Sequence, residues 1–397
     1  MSASSEIVIA GGGIGGLAAA YVLGQDGHRV TVLEQAESFG EIGAGIQLGP
    51  NIFKMFEYLG MTKAVDRVAF YPTHLGMRDV RTGEQVVRVP LRAAAQAAYG
   101  YPYGVIYRAD LHDVFLDACR ANHNISLRTS AKVQSFSQTA HRVSATLADG
   151  STVDADAMIG ADGMWSRVRE AIVGDGKPRV SGHIAYRAVL KREEVPEHLW
   201  SDEVVLWGGE KTHLVHYPLR RGELFNIVVV FHSNKYEEGW GSYGDVNELT
   251  DRFADAAPQV KELLAKINIW KMWVLCDREP VKNWSQGRVT LLGDAAHPML
   301  QYLAQGAGQA IEDACVLREA LRASAGDFAV AFQKYQQARY LRTGRVQLTA
   351  RFYGDIYHAS GVTRELRNQM FQSGQESAGF AGLKWMYDGI DPATMFR

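Results

Sequence analysis

The sequence predicts an α/β protein: a Rossmann-like nucleotide-binding domain, interrupted by a mainly antiparallel β-sheet and followed by a helical C-terminal region. Three observations carry this. Residues 7–34 read as strand, glycine turn, helix, strand and acid. Two later apolar strands end in Gly160-Ala161-Asp162-Gly163 and Gly293-Asp294, and the stretch between them alternates in strand fashion. The expected division is therefore 1–179 for the first part of the nucleotide domain, 180–276 for the inserted sheet, 277–345 for the second part and 346–397 for a helical, aromatic-rich tail.

The opening element is the most informative. After the run Ile7-Val8-Ile9-Ala10, Gly11, Gly13 and Gly16 occupy the G-x-G-x-x-G positions. In that motif the first glycine permits the tight turn, the second lets the backbone approach a pyrophosphate, and the third lets helix and strand pack closely. Free N–H groups at the start of the helix then face the phosphates. Glu34 ends the next strand, Val30-Thr31-Val32-Leu33, where a carboxylate accepts hydrogen bonds from a ribose and repels a 2′-phosphate. An adenosine diphosphate with an unphosphorylated ribose fits these residues, in NAD or FAD alike.

Next comes the loop Gly40-Glu41-Ile42-Gly43-Ala44-Gly45-Ile46-Gln47-Leu48-Gly49-Pro50. It is either a flexible connector or a backbone that passes close to a flat ligand, which would place Gln47 at the cofactor. Arg108, opening a helix that runs through Leu116 and Cys119, can pair with Asp110 or reach a phosphate. Residues 125–153 alternate around Asp149-Gly150 as a small antiparallel layer. Asp162 then stands at the C-terminal edge of a buried strand, where open α/β sheets bind ligands.

Within 180–276, strands are expected at His183 to Leu190, Val204 to Trp207, His213 to Tyr217, Leu224 to Phe231 and Trp270 to Cys276, with one helix from Val246 to Lys266. The nucleotide domain resumes at Val289. Its Gly293-Asp294 end is followed by Gln305-Gly306-Ala307-Gly308 and a helix, a second helix N-terminus aimed at the same crevice. The remainder is helical, with Tyr335, Arg339, Arg342 and Val346 on one spacing. Its aromatic residues, among them Phe352, Tyr353, Tyr357, Trp385 and Tyr387, are expected to pack against the body or a second subunit.

Composition narrows the class. With 47% hydrophobic residues the chain can fill two interlocked cores, and a net charge of −2 without long runs argues against a nucleic-acid groove. Cys119, Cys276 and Cys315 are far apart and form no C-x-x-C pair, so neither a disulfide framework nor a zinc site is supported, and no metal is expected. No transmembrane run or leader is legible, and a cytoplasmic location is expected.

Taken together, the GGGIGG turn with Glu34, the GADGMWSRVR stretch and the GDAAHP segment followed by QGAGQAIEDA resemble the single-component flavoprotein aromatic hydroxylases, the group-A FAD monooxygenases. The resemblance covers nearly the whole chain. It implies FAD held by Gly13, Glu34, Arg108, Asp294, Gly306 and Ala307, with Asp162 near the same crevice, and because no cysteine or histidine stands in the glycine turns the FAD is expected to be noncovalent. It also implies NADH or NADPH as co-substrate without a second fingerprint, and a homodimer. Gln301, paired with Thr212-His213-Leu214-Val215-His216-Tyr217, is similar to the substrate-ring residues of the 3-hydroxybenzoate 6-hydroxylases.

That likeness gives the site residues roles. On a strand His213, Val215 and Tyr217 share one face and Leu214 and His216 the other. In the family, reduced flavin and dioxygen form a C4a-hydroperoxide whose distal oxygen attacks an electron-rich ring, and a phenolate is far more electron-rich than a phenol. His213 is then the expected base, with Tyr217 positioning the ring and Gln301 orienting it or stabilising the oxyanion. The expected reaction converts 3-hydroxybenzoate to 2,5-dihydroxybenzoate. Its rivals are salicylate 1-hydroxylation and, in another class, a flavoprotein that binds or oxidises an aromatic acid without hydroxylating it. His297 is expected to be structural.

Overall fold

The structure is a computed structural model that describes residues 4–40, 43–234, 240–373 and 381–397. Glu41 and Ile42 of the glycine loop lie outside the described residues.

The nucleotide half is built on a six-stranded sheet whose order is Ser285–Gln286, Val289–Leu291, Ala157–Gly160, Glu6–Ala10, Arg29–Leu33, Ile125–Arg128. All neighbours are parallel except the first pair. The strands are near-continuous apolar runs because helices and a three-stranded antiparallel layer cover the sheet, and the residues from Ile7 to Ala10 are all buried. Helices Ile14–Gln25 and Gly306–Arg322 pack on this sheet and on each other. Gly11 adopts φ +107°, and a Cβ there would meet the Ala161 carbonyl oxygen at 2.2 Å; one on Gly16 would meet the Gly11 carbonyl oxygen at 2.0 Å. The first and third glycines therefore bring two parallel strand ends and a helix start together. Val133–Gln138, Val143–Leu147 and Thr152–Ala155 form the separate three-stranded antiparallel layer.

The second half is an eight-stranded sheet ordered Trp240–Tyr243, Lys271–Asp277, Arg179–Lys191, Leu224–His232, Thr212–Leu219, Val204–Gly209, His74–Asp79, Gln85–Pro90. The last two strands come from well before residue 180, so this sheet is not confined to 180–276. They extend the sheet from Val204–Gly209, whose pairing edge would otherwise be open. One face packs on Leu249, Phe253, Val260 and Leu263 of two short helices. These helices, Val246–Arg252 and Pro258–Leu264, replace the single helix expected over 246–266: Pro258 lacks the N–H that a continuous helix needs and starts a new one.

Helix Phe328–Tyr357 runs 30 residues, straight through the boundary expected at 345. It carries Arg339, fully buried, which donates to Glu312 at 2.6 Å and to Asp313 at 2.7 Å. Further along the chain, Met386 and Tyr387 pack into the body, Tyr387 edge-on against Tyr99 and Tyr103. No helix among the described residues is long and apolar enough to cross a membrane.

Candidate active site

A cavity of about 870 Å³ lies between the two sheets. Its nucleotide end is made by two helix starts. Gly13, Ile14, Gly15 and Gly16 of one helix line it, and so do Gly306 and Ala307 of the other, and neither helix has a side-chain N-cap. Both first turns thus present backbone N–H groups to the cavity, which suits an anionic diphosphate. Asp294, Gln47 and Arg108 line the same region. Glu34 does not reach the cavity wall: its carboxylate accepts from Gly12 N at 2.8 Å and from Ala36 N at 2.8 Å, which holds the glycine turn against the second strand. A Cβ on Gly12 would come within 3.1 Å of that carboxylate. These glycine contacts and open helix starts fit a dinucleotide cofactor.

Asp162 behaves differently from the expectation. Its carboxylate accepts from Ser166 Oγ and from the backbone of Arg167 at 2.8 Å and Val168 at 3.2 Å, so it caps its own helix. It is absent from the cavity lining, while its neighbours Ala161 and Gly163 belong to it. Burial raises its pKa against those hydrogen bonds. Arg108 lines the cavity, and Asp110 accepts from Arg220 at 2.7 Å and 2.9 Å. The glycine loop is also packed against side chains from elsewhere in the chain. A Cβ on Gly45 would strike Tyr217 at 2.6 Å, and one on Gly43 would strike the Tyr107 hydroxyl. Gly45 N donates to Asn226 Oδ1 at 2.7 Å, and Tyr103 donates to Gln47 Oε1 at 2.6 Å, so the loop is stitched to the other sheet.

At the far end, His213, Val215 and Tyr217 of strand Thr212–Leu219 face the cavity. Leu214 packs into the core on the opposite face, where His216 accepts from Trp207 Nε1 at 3.0 Å. His213 is buried, and its Nδ1 lies 2.7 Å from Nε2 of His358, the residue that ends the long helix. Burial, reinforced by nearby His183, pushes His213 down to about 3. It is therefore a neutral imidazole across the working pH range. Burial raises the pKa of Tyr217 and keeps its phenol protonated. Gln301 lines the cavity, but its carbonyl oxygen accepts from Arg187 Nη2 at 2.6 Å. Its amide N–H₂ is thereby left as a donor.

Arg187 escaped the sequence reading. Its guanidinium sits in the cavity wall over Trp273 at 5.1 Å, and its Nε is buried without a hydrogen-bond partner. Burial and the neighbouring Arg108 lower its pKa to about 10, so it remains charged at neutral pH. The signal was present as the lone charge within Ile184-Ala185-Tyr186-Arg187-Ala188-Val189-Leu190. His297 is buried behind the cavity with its Nε2 2.6 Å from Asp313 Oδ2.

The site thus joins a diphosphate cradle to a largely apolar chamber whose wall holds the Arg187 guanidinium, the His213 imidazole, the Gln301 amide and several tyrosine phenols, Tyr217 among them. Residues 4–342 match the model of the FAD binding domain family. The chain is also 43% identical over 384 residues to 3-hydroxybenzoate 6-hydroxylase 1 of Aquipseudomonas alcaligenes, covering 96% of this chain and 97% of that one. The chain belongs to the FAD-dependent aromatic hydroxylases. A second relative, 3-hydroxybenzoate 6-hydroxylase of Polaromonas naphthalenivorans (strain CJ2), is 44% identical over 386 residues, with 97% and 96% of the two chains covered. Among solved structures, a salicylate hydroxylase substrate complex superposes with a TM-score of 0.83 at 26% identity, covering 99% of this chain and 97% of that one. As a member of this family the protein is a flavoprotein monooxygenase that uses FAD with NAD(P)H as co-substrate.

Proposed function

We propose that this hydroxylase acts on 3-hydroxybenzoate, inserting oxygen para to its hydroxyl group to give 2,5-dihydroxybenzoate, with NADH as the electron donor. The relatives' names supply the substrate class. The observation that carries the residue roles is the pairing of a half-buried cation, Arg187, with a buried neutral imidazole, His213, on the walls of one chamber.

Bound FAD supplies electrons from NADH and the activation of dioxygen; the rest falls to the chain's own side chains. Arg187, without a carboxylate partner at its Nε, receives the substrate carboxylate. His213 donates through Nδ1–H to His358, which leaves the Nε2 lone pair to accept the phenolic proton. The Gln301 amide donates to the phenolate oxygen as charge develops, because its own oxygen is held by Arg187. Tyr217, protonated, positions the ring.

The test is product identification from purified protein with FAD, NADH, oxygen and a panel of hydroxybenzoates. Stoichiometric 2,5-dihydroxybenzoate from the 3-hydroxy acid is expected. Catechol and carbon dioxide from salicylate would replace the reading with 1-hydroxylation, and NADH oxidation without any hydroxylated product would exclude hydroxylation. His213→Ala should keep FAD and its reduction but lose about 10² to 10⁴ in hydroxylation, with hydrogen peroxide released instead. Arg187→Met should raise KM for the acid roughly ten- to a hundredfold, the size of a hydrogen bond to a charged group, and affect 3-hydroxybenzyl alcohol far less.

A further inference from the structure

Behind His213, on the side away from the cofactor cradle, three more histidines meet: His183 and His232 on adjacent strands and His358 at the end of the long helix. One ring nitrogen from each lies within 4.8 Å of the other two. Two of the ring nitrogens are already held. His183 Nδ1 hydrogen-bonds the Tyr302 hydroxyl, and His358 Nε2 meets His213 Nδ1 at 2.7 Å. His183 Nε2 contacts His232 Nε2, and His358 Nδ1 is buried with no hydrogen-bond partner.

We propose that His183, His232 and His358 form a binding site for one divalent transition-metal ion of the zinc class. Three neutral imidazoles with no carboxylate or thiolate among them are a donor set for zinc, copper or nickel rather than magnesium or calcium. Metal-bound histidines characteristically carry a hydrogen-bond partner on the other ring nitrogen, as His183 and His358 do here. Burial lowers the pKa of all three, so their lone pairs are available at neutral pH. At zinc–nitrogen distances of about 2.0 to 2.1 Å, tetrahedral geometry spaces the nitrogens about 3.3 Å apart. The widest separation would shorten by about 1.5 Å, within reach of imidazole rotation. His232 is half-buried, and water would supply the fourth ligand of a tetrahedral ion held by three histidines. Lys211 and Arg252 act on His232 against a cation, and Asp355 acts in its favour.

Metal at His358 Nδ1 fixes the proton on His358 Nε2, which then donates to His213 Nδ1 and leaves Nε2 of His213 protonated. On the reading of His213 as base, the loaded form is the less able to take up the phenolic proton. The test separates binding from that consequence. Tag-free holoenzyme, stripped with chelator, is titrated calorimetrically with Zn²⁺ alone, without substrate. One ion per chain is expected, with affinity weakened at least tenfold in His232→Ala and in His183→Ala, and unchanged in His198→Ala, which alters an exposed histidine elsewhere. Flavin content of each variant reports folding. Absence of a stoichiometric site, or binding equal in the wild type and a His183→Ala/His232→Ala double variant, overturns the proposal. Inhibition of hydroxylation by Zn²⁺ is read separately: site-specific binding without inhibition leaves the metal site standing and removes His213 as the base.

Discussion

Arg339→Met tests whether the buried ion network behind the cofactor cradle supports it. The guanidinium is wholly buried between Glu312 and Asp313. Glu312 keeps Arg342 at 2.7 Å and Asn51 at 2.9 Å when Arg339 is lost, so its charge stays compensated. Asp313 retains His297 and the Gly293 backbone N–H, neither of which is a permanent cation. Removing one partner of a buried pair costs about 3 to 5 kcal/mol, and the surviving Arg342 places this case at the lower end, about 3 kcal/mol. With an unfolding entropy of about 2.1 cal/mol/K per residue over the 397-residue chain, roughly 0.8 kcal/mol/K in all, the midpoint should fall by about 4 °C. Differential scanning fluorimetry on FAD-saturated protein reads this. Adding Asp313→Asn to the variant should raise the midpoint again, because it removes the uncompensated charge. A midpoint within 1 °C of wild type for Arg339→Met, or a further fall on adding Asp313→Asn, would refute the reasoning. Because Asp313 also holds Gly293 beside Asp294, weaker FAD retention should accompany the lower midpoint.

Glu34→Ala frees the Gly12 N–H and should raise the FAD dissociation constant by roughly ten- to a hundredfold, from about 1.5 to 3 kcal/mol for a hydrogen bond to a charged group; equilibrium dialysis of flavin decides it. FAD should leave with the supernatant on acid precipitation, and colour retained in the pellet would mean a covalent link. His216 is held neutral, at about 3, by burial and by Arg78. Its unfolded counterpart titrates near 6.5, so its contribution is whole above that pH and is lost as pH falls toward 3, reaching about 2 kcal/mol at pH 5. His216→Gln keeps an acceptor for Trp207 and should therefore show a smaller melting-temperature drop between pH 7.5 and 5 than the wild type; equal drops would contradict the assignment.

Local signals in the chain were strong where one short segment carries its own constraint. Gly11 and Gly16 announce a turn that no side chain fits, and alternation along His213 to Tyr217 separates the cavity face from the core face. Contacts made between distant segments left little trace. The hairpin at 74–90 joins the large sheet because Val204–Gly209 offers it an edge, and nothing local records that. Asp162 stands at a strand end as expected, yet the Ser166-Arg167-Val168 turn engages its carboxylate. His358 lies far along the chain from His213, and only the length of helix Phe328–Tyr357 brings them together. Pro258, by contrast, was legible and should have divided the helix expected over 246–266.

The interleaving of the two sheets has a consequence for synthesis. Strand Ala157–Gly160 sits between Glu6–Ala10 and Val289–Leu291, and the acids Glu312 and Asp313 await Arg339 from still later in the chain. The first hundred residues therefore leave the ribosome without the partners that close their core. At 5 to 20 residues per second that wait lasts on the order of tens of seconds. During it the unpaired edge of Ala157–Gly160 and the apolar wall beneath Gly306–Arg322 are open to other nascent chains. Yield in a heterologous host should consequently respond to growth temperature and chaperone supply more than to codon choice near the start.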